Sequence, residues 1–200
     1  KSRVVDMLLA ALAEKDFVAQ GHVERISELC MKMADALDLN EGQKRNLLLL
    51  SKIHDLGKIG VPDDILNKPG KLTKKEFEKM KTHVNIGFNI ASRAKELVSV
   101  APFILHHHEH WNGSGYPDGL RAEEIPLECR ILSIIDAFDA MTNDRPYHKG
   151  VSVDEALEEI SKCSGRQFDP FLVEKFVEII KSTEKETGSE AGAAETGTVG

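Results

Sequence analysis

Residues 40–62 read NEGQKRNLLLLSKIHDLGKIGVP, and this stretch decides the fold that the sequence predicts. Asn40 followed by Gln43 is the pattern of a capping box, which predicts a helix that runs through the leucine run to about His54. Glycine and proline residues then interrupt the chain. His54 and Asp55 therefore stand together at the end of a helix whose apolar run indicates burial.

Apolar residues recur at helical spacing along the rest of the chain, and no segment shows the sustained alternation of a strand. A second capping box, Thr73 with Glu76, predicts a helix that carries His83. The expected helices cover about 4–15, 23–37, 41–54, 74 to beyond 83, 93–107, 126–141, a segment capped by Ser152, and 170–181. Residues 112–119, NGSGYPDG, predict a Gly-rich loop. The predicted fold class is all-α, a single helical bundle of about seven to nine helices.

The length of 200 residues suits one domain, which we expect over residues 1–182. Residues 183–200 are rich in Gly, Ala, Glu, Ser and Thr, and we expect a disordered tail. No apolar run reaches the roughly 18–20 residues that cross a bilayer, and no signal peptide is evident, so the expected location is cytoplasmic, with no membrane segment. The net charge of -7 argues against DNA binding.

Residue types that bind metals return at similar intervals along the chain. The intervals are 32, 29, 24 and 28 residues in the series His22, His54-Asp55, His83, His107-His108 and Asp136. A helix with its loop is about this long, so successive helices of a bundle can each return one ligand to the same interior region. The spacing therefore predicts a shared metal site.

Imidazole and carboxylate ligands suit divalent iron, manganese or zinc. The set exceeds the needs of one ion, and Asp55 could bridge two ions whose shared water becomes an attacking hydroxide. A lone helical histidine such as His22 is more often a capping, core or surface residue than a ligand. Asp136 stands between apolar neighbours and would be a stranded charge unless it binds metal.

Two blocks of the sequence resemble a known family. Residues 54–62, HDLGKIGVP, are similar to the HD motif of the HD-GYP family, and residues 107–117, HHEHWNGSGYP, are similar to its second signature. Shorter blocks at 68–72, 136–141, 144–147 and 167–170 also match. The resemblance extends over about residues 16–176. It implies the helical bundle of the HD superfamily, with an HD-GYP domain over residues 1–182.

The resemblance also implies an activity, the hydrolysis of the bacterial second messenger cyclic di-GMP to pGpG, GMP or both. It implies metal ligation by His54, Asp55, His83, His107, His108 and Asp136, with His22 as a further ligand in some members. It places Lys58 beside the scissile phosphate, and it implies substrate binding by Tyr116, Arg145, Asp16 and Asp139. Other roles remain open: Arg145 could pair with a carboxylate, Tyr116 could hold its loop, and Asp139 could brace a neighbour.

One departure from the family pattern concerns the number of metal ions. Some members place a glutamate four residues before the residue that matches His22, where it helps to hold a third ion. This chain has Val18 at that position, which cannot bind metal. We therefore predict two divalent ions, with Fe or Mn favoured and Zn, Ni or Mg left open.

Other functions remain open at this point. They are a weak or inactive cyclic di-GMP receptor that acts through protein interaction, a di-iron oxygenase, and a nucleotide phosphohydrolase of the HD superfamily. The expected partners are cyclic di-GMP and a GGDEF-type protein that binds the loop 115–117, and a homodimer is left open. The chain begins at a helix without an initiating Met, so we expect an N-terminal sensory or receiver domain in a longer protein.

Overall fold

The regular secondary structure in the described part of this chain is helical. The structure, a computed structural model, describes residues 3–15, 21–144 and 149–194, and these ranges contain helices but no strand. The α-helices are α1 (Arg3–Ala13), α2 (His22–Ala36), α3 (Glu41–Ile53), α4 (Asp63–Leu66), α5 (Lys74–Lys81), α6 (His83–Ala91), α7 (Ala101–His106), α8 (Leu127–Thr142), α9 (Val153–Lys162) and α10 (Pro170–Ala194). Two short 3-10 helices cover Leu56–Gly60 and Ala122–Glu124. The predicted all-α fold class is confirmed.

Three helices begin at the capping boxes that the sequence contains. The backbone N–H of Gln43 donates to Oδ1 of Asn40 at 3.0 Å, and the N–H of Asn40 donates to the Gln43 side chain at 3.1 Å. Equivalent boxes at Thr73 and Ser152 start α5 and α9. Each box satisfies backbone donors that no helical carbonyl can reach, so these starts follow from the local sequence.

One expected helix is shorter than predicted. The helix over 93–107 begins only at Ala101, and residues 92–100 form turns. Pro102 lies in the first turn of α7, where its missing N–H costs nothing. In a helix that began at residue 93 the same proline would interrupt the hydrogen-bond ladder, so the earlier start was wrong.

The helix expected to carry His83 is divided in two. It ends with α5 at Lys81, and α6 begins at His83. The hydroxyl of Thr82 donates to the carbonyl of Lys79 at 2.6 Å, a local bond that competes with helical hydrogen bonding at the break. With this division the described ranges contain nine α-helices of six or more residues, in agreement with the expected seven to nine, and the four-residue turn of helix α4.

The last helix is longer than expected. It continues to Ala194, through residues from 183 onwards for which we predicted disorder. The last core residue before this extension is Ile180. The extension contains Glu, Lys and Ala, whose high helix propensity favours continuation from a packed segment. The domain boundary after residue 182 and the disordered tail beyond it remain predictions, and residues 195–200 of that tail lie outside the described residues.

The core lies between the long helices. Ile26 of α2, Leu50 of α3, Ile131 of α8 and Phe176 of α10 are fully buried in one continuous cluster. Each such side chain contributes roughly 1.5–3 kcal/mol by leaving water, so these contacts hold the bundle together. None of the described helices combines the length and apolar character needed to cross a membrane.

A close approach of two backbones joins the 3-10 helix Leu56–Gly60 to α6. A Cβ atom on Gly57 would lie 1.7 Å from the carbonyl oxygen of His83 and 2.6 Å from the backbone nitrogen of Gly87. Only glycine fits at such a contact. Gly57 therefore allows Asp55, two residues earlier, to stand next to His83.

Candidate metal centre

The predicted ligands come mainly from helix ends. His22 begins α2, His54 and Asp55 follow α3, His83 begins α6, His107 and His108 follow α7, and Asp136 lies inside α8. All of these residues line one cavity of about 480 Å³. The bundle thus brings together the residues that the sequence spacing predicted as neighbours.

Two groups of candidate ligands share one carboxylate. The first contains Asp55, His83, His107 and His108, and the second contains His22, His54 and again Asp55. Within each group the ligand atoms lie within 4.8 Å of one another. Two groups joined by a carboxylate have the composition of a two-metal site with a bridging ligand.

Asp136 stands at the edge of the second group. Its Oδ1 lies 3.6 Å from Nε2 of His22, and its side chain is 29% exposed. The carboxylate is therefore partly exposed in the cavity, beside the other candidate ligands. Ligation by Asp136 remains a prediction that its contact with His22 favours.

Three histidines make the same local hydrogen bond. Nδ1 of His54, His83 and His107 donates to the backbone carbonyl three residues earlier, at 3.1, 2.8 and 2.7 Å respectively. A carbonyl oxygen can only accept, so Nδ1 carries the proton in each ring. In the neutral ring, Nε2 then holds a free lone pair.

The same three Nε2 atoms are buried and have no hydrogen-bond partner among the residues that the structure describes. Nε2 of His54 lies 3.5 Å and Nε2 of His83 lies 3.7 Å from oxygens of Asp55, beyond a good N–H···O distance. Buried polar atoms without partners are costly, and a cation among them removes the cost. The donor set therefore fits divalent metal ions.

Electrostatics favours the protonation states that bind metal. Burial lowers the pKa of His83, His107 and His108, to about 3 for His108, and neighbouring histidines add to the effect. Burial alone would raise the pKa of Asp55, but Lys58 and the surrounding histidines hold it well below its usual value. Neutral imidazoles therefore surround an ionised carboxylate, the combination that metal binding needs.

Asp139 lies behind His22. Its Oδ2 accepts from Nδ1 of His22 at 2.7 Å, and its Oδ1 accepts from the Asn143 amide at 3.0 Å. Arg25 donates to both oxygens, and the Asp139 side chain is only 4% exposed. A carboxylate that orients a histidine in this way sets which ring nitrogen faces the metal. These contacts favour the bracing role of Asp139 over substrate binding, and they show a role for Arg25 that sequence reasoning missed.

The Gly-rich loop packs directly on the centre. A Cβ on Gly115 would lie 2.5 Å from the carbonyl oxygen of His108, so only glycine allows this approach. Oε1 of Glu109 accepts from the N–H groups of Asp118 and Gly119 at 2.7 and 3.1 Å. Tyr116 is thereby held with its ring stacked on His108, with 5.0 Å between the centroids. The loop-holding role and the substrate role of Tyr116 are compatible.

Several residues that line the cavity had no role in the sequence prediction. They are Lys52, Phe77, Met80, Ser133 and Gln167. Phe77 is unusual because it is 46% exposed on α5, a helix without a buried residue. Its only signal in the sequence is an aromatic residue within the charged run KKEFEKMK.

Three residues on which the sequence predictions depend lie outside the described residues. They are Asp16 and Arg145, expected at the substrate, and Val18, on which the expected number of ions depends. Lys58 is described, and its Nζ lies 2.8 Å from Oδ2 of Asp55 at the edge of the cavity.

Comparisons with known proteins agree on one family. The profile of a family described as HD domain matches residues 6–172. A cyclic di-GMP phosphodiesterase of Thermotoga maritima is 41% identical over 180 residues, which cover 89% of this chain and 49% of that protein. The cyclic di-GMP phosphodiesterase response regulator RpfG of Xanthomonas campestris is 41% identical over 169 residues, covering 84% of this chain and 45% of that protein.

A solved structure shares the fold. The crystal structure of a cyclic GMP-AMP specific phosphodiesterase of V. cholerae superposes with a TM-score of 0.67 at 24% identity, covering 89% of this chain and 48% of that chain. At this identity the likeness concerns the fold alone. The chain spans about half the length of the curated relatives it matches.

Proposed function

Because the chain belongs to the HD domain family, we propose that it is a metal-dependent phosphodiesterase that hydrolyses cyclic di-GMP to pGpG, GMP or both. The observation that carries the proposal is the pair of ligand groups joined by Asp55, with buried Nε2 lone pairs that no group of the described residues uses. Relatives that are 41% identical are named cyclic di-GMP phosphodiesterases, which supports this choice of substrate.

The proposed metal complement is two divalent ions, with Fe or Mn favoured over Zn, Ni or Mg. His83, His107 and His108 would hold one ion, His22, His54 and Asp136 the other, and Asp55 would join them. Such ions would acidify a bound water and neutralise charge on the phosphate. The lowered pKa values of the histidines leave their lone pairs available near neutral pH.

Hydrolysis forms a P–O bond from water, breaks the P–O3′ bond and gives a proton to the leaving oxygen. Lys58 is the described residue best placed for two parts of this reaction. Its ammonium lies 2.8 Å from Asp55 and lines the cavity, where it could neutralise phosphate charge and donate a proton to the 3′ oxygen. We assign Arg145, which lies outside the described residues, to bidentate phosphate binding, for which a guanidinium is suited.

Tyr116 contributes a hydroxyl group to the same cavity. Burial raises its pKa further above neutral, with Asp55 adding to the effect, so the hydroxyl remains protonated. A protonated phenol can donate a hydrogen bond to a phosphate or sugar oxygen. We therefore keep Tyr116 as a substrate-binding residue that also holds its loop.

The test is turnover by the purified protein, prepared anaerobically and supplied with Mn or Fe(II). Chromatography of cyclic di-GMP incubations should show pGpG or GMP within the first turnovers. Binding of cyclic di-GMP without product in either metal form would contradict the proposal and indicate a receptor. Oxygen consumption with an organic substrate, again without product from cyclic di-GMP, would indicate an oxygenase.

A further inference from the structure

An aromatic side chain stands exposed at the mouth of the metal cavity. Phe77 is 46% exposed on α5, yet it lines the same cavity as His108 and Tyr116. Its ring lies 6.3 Å from the ring of Tyr116, edge to face, and Tyr116 stacks in turn on His108. Phe77 is therefore separated from a predicted metal ligand by a single intervening ring.

The ring of Tyr116 already has two close neighbours besides Phe77. His108 stacks on it with an interplanar angle of 21°, and the Lys81 ammonium lies over it, 5.6 Å from the centroid. The hydroxyl of Tyr116 remains useful for a polar contact. Phe77, by contrast, keeps 46% of its surface exposed at the mouth.

Lys81 adds positive charge at the same place. Its Nζ lies 5.5 Å from the centroid of Phe77, and one turn of α5 separates the two residues. Glu78 pairs with this ammonium at 2.8 Å, but its own side chain is 58% exposed. An ammonium has three donors, so Lys81 can keep this exposed partner and still donate to a ligand above Phe77.

We propose that Phe77 and Lys81 form a purine subsite at the cavity mouth, with Phe77 stacking on one guanine of the substrate and Lys81 donating to it. This inference rests on the proposed function, since it names the part of a cyclic dinucleotide that lies outside the metal centre. Nucleic-acid bases stack readily on exposed aromatic side chains. The sugar joins base to phosphate, so a phosphate at the metals places its base towards the mouth.

The subsite favours guanine over adenine. Guanine presents two neighbouring acceptors, N7 and O6, to a cation, whereas adenine presents a donor amino group beside N7. Lys81 has only donors and repels the adenine amino group. The preference should therefore come from Lys81, while stacking on Phe77 serves either purine.

The first experiment replaces Phe77 in the whole chain loaded with Mn. Phe77→Ala should lower kcat/KM for cyclic di-GMP by roughly 5- to 150-fold, mostly through KM, the range expected for one stacked base. Phe77→Trp, which keeps a flat ring, should restore the value, whereas Phe77→Leu should not. Phe171→Ala on α10 is the matched control, because Phe171 is 56% exposed on another helix.

The outcomes separate this inference from the proposed function. If the wild-type protein does not hydrolyse cyclic di-GMP, the proposed function fails first. If it does, and Phe77→Ala leaves KM unchanged, the subsite is overturned. Equal activity of the Leu and Trp variants would also overturn it, because apolar packing and not stacking would then explain Phe77.

The second experiment concerns guanine preference. Lys81→Met should lower the ratio of kcat/KM for cyclic di-GMP to that for cyclic di-AMP at least about fivefold, the low end of what one good base contact discriminates. Lys79→Met is the control, since Lys79 is an exposed lysine of the same helix. An unchanged ratio in Lys81→Met, or an equal fall in both variants, would remove Lys81 from the subsite.

Discussion

At the scale of the residue, the fixed proton on three of the histidines is the feature that prepares the centre for metal. His54, His83 and His107 all donate from Nδ1 to a carbonyl three residues back. The arrangement is local, so each ring is oriented by the backbone three residues before it and needs no distant partner. His22 is oriented differently, by Asp139 from α8. In both arrangements Nδ1 carries a hydrogen bond, so Nε2 remains the ring nitrogen that can bind a cation.

The histidine pKa values predict how the metal-free protein responds to acid. His83, His107 and His108 have pKa values below the usual value of about 6.5 in the folded protein, so the unfolded chain binds more protons below that pH. The free energy of unfolding should therefore be greatest above about pH 6.5 and fall as the pH is lowered towards 4. Urea denaturation of the chelated protein at several pH values measures this.

A variant isolates the contribution of the histidines to that pH dependence. Asp55 and Asp139 also have lowered pKa values, and their protonation destabilises the fold in the same direction. His107→Gln removes one titrating ring and should give a shallower slope between about pH 6.5 and 5 than the wild type. An unfolding free energy that stays level or rises on acidification would contradict the assigned shifts.

Individual residues also show which features of the site the sequence could not predict. The metal-binding residue types were predictable because histidine and aspartate recurred at the interval of a helix with its loop. The contacts of Asp139 were not, because its partners His22 and Arg25 lie more than 110 residues away in the chain. Phe77 was not predictable as a site residue, because an aromatic residue on a charged helix has no distinctive spacing.

At the scale of the element, local sequence signals predicted helix starts correctly, whereas contacts between distant segments could not be predicted. The capping boxes at Asn40, Thr73 and Ser152 fixed three helix starts in the sequence, and each occurs where predicted. α7 starts at Ala101 because Pro102 suits only the first turn of a helix. The apolar spacing alone had indicated a helix from residue 93. The extension of α10 depends on helix propensity in a segment whose composition indicated disorder.

The contact between the 3-10 helix Leu56–Gly60 and α6 gives a prediction at this scale. Gly57→Ala places a methyl group 1.7 Å from the carbonyl oxygen of His83, so the two elements must separate. We expect a loss of at least about 1–3 kcal/mol in the free energy of unfolding. Metal binding should also weaken, because Asp55 and His83 move apart. Thermal denaturation and metal titration measure the two effects.

Gly42→Ala is the control for that substitution. Gly42 lies in the first turn of α3, where the nearest atom to an added Cβ is the Asn40 side-chain oxygen at 3.1 Å. Alanine favours a helix over glycine, so this variant should keep both stability and metal binding. A Gly57→Ala protein with wild-type metal affinity would show that the close approach does not position the ligands.

At the scale of the whole molecule, one ion pair joins α8 to the start of α10. Nη1 of Arg130 lies 2.7 Å from Oδ2 of Asp169, and the side chains are 15% and 5% exposed. Oδ1 of Asp169 also accepts from the N–H of Phe171 at 3.0 Å, at the beginning of α10. Asp169 therefore stabilises both the helix end and its attachment to the bundle.

Removal of this carboxylate should destabilise the fold without touching the metal centre. Asp169→Ala leaves the largely buried Arg130 guanidinium without its carboxylate partner, although Nε still donates to the Ile125 carbonyl, and we expect a loss of about 3 kcal/mol in the free energy of unfolding. Asp169→Asn keeps an acceptor for the helix start and should lose less. Denaturant unfolding of the Mn-loaded protein measures both. A loss below about 1 kcal/mol in Asp169→Ala would contradict the role given to the pair.

The bundle as a whole explains why the sequence predicted so much of the site. Helices of similar length return the chain to one place at regular intervals, so evenly spaced ligands converge. The all-α class and the shared cavity of His54, Asp55, His83, His107 and His108 were predictable for this reason. The relative placement of α5 and the loop 112–119 was not, since it depends on contacts between distant segments.

The most direct test of the central claim counts metal ions and products together. The claim is that Asp55 joins two ions in a phosphodiesterase centre. Purified protein, loaded anaerobically with Mn or Fe(II), should contain about two ions per chain and convert cyclic di-GMP to pGpG or GMP. Asp55→Ala should lose both properties, whereas Asp64→Ala, which removes an exposed carboxylate nearby, should keep them. Wild-type hydrolysis by Asp55→Ala, or a wild-type chain that binds no metal, would contradict the account.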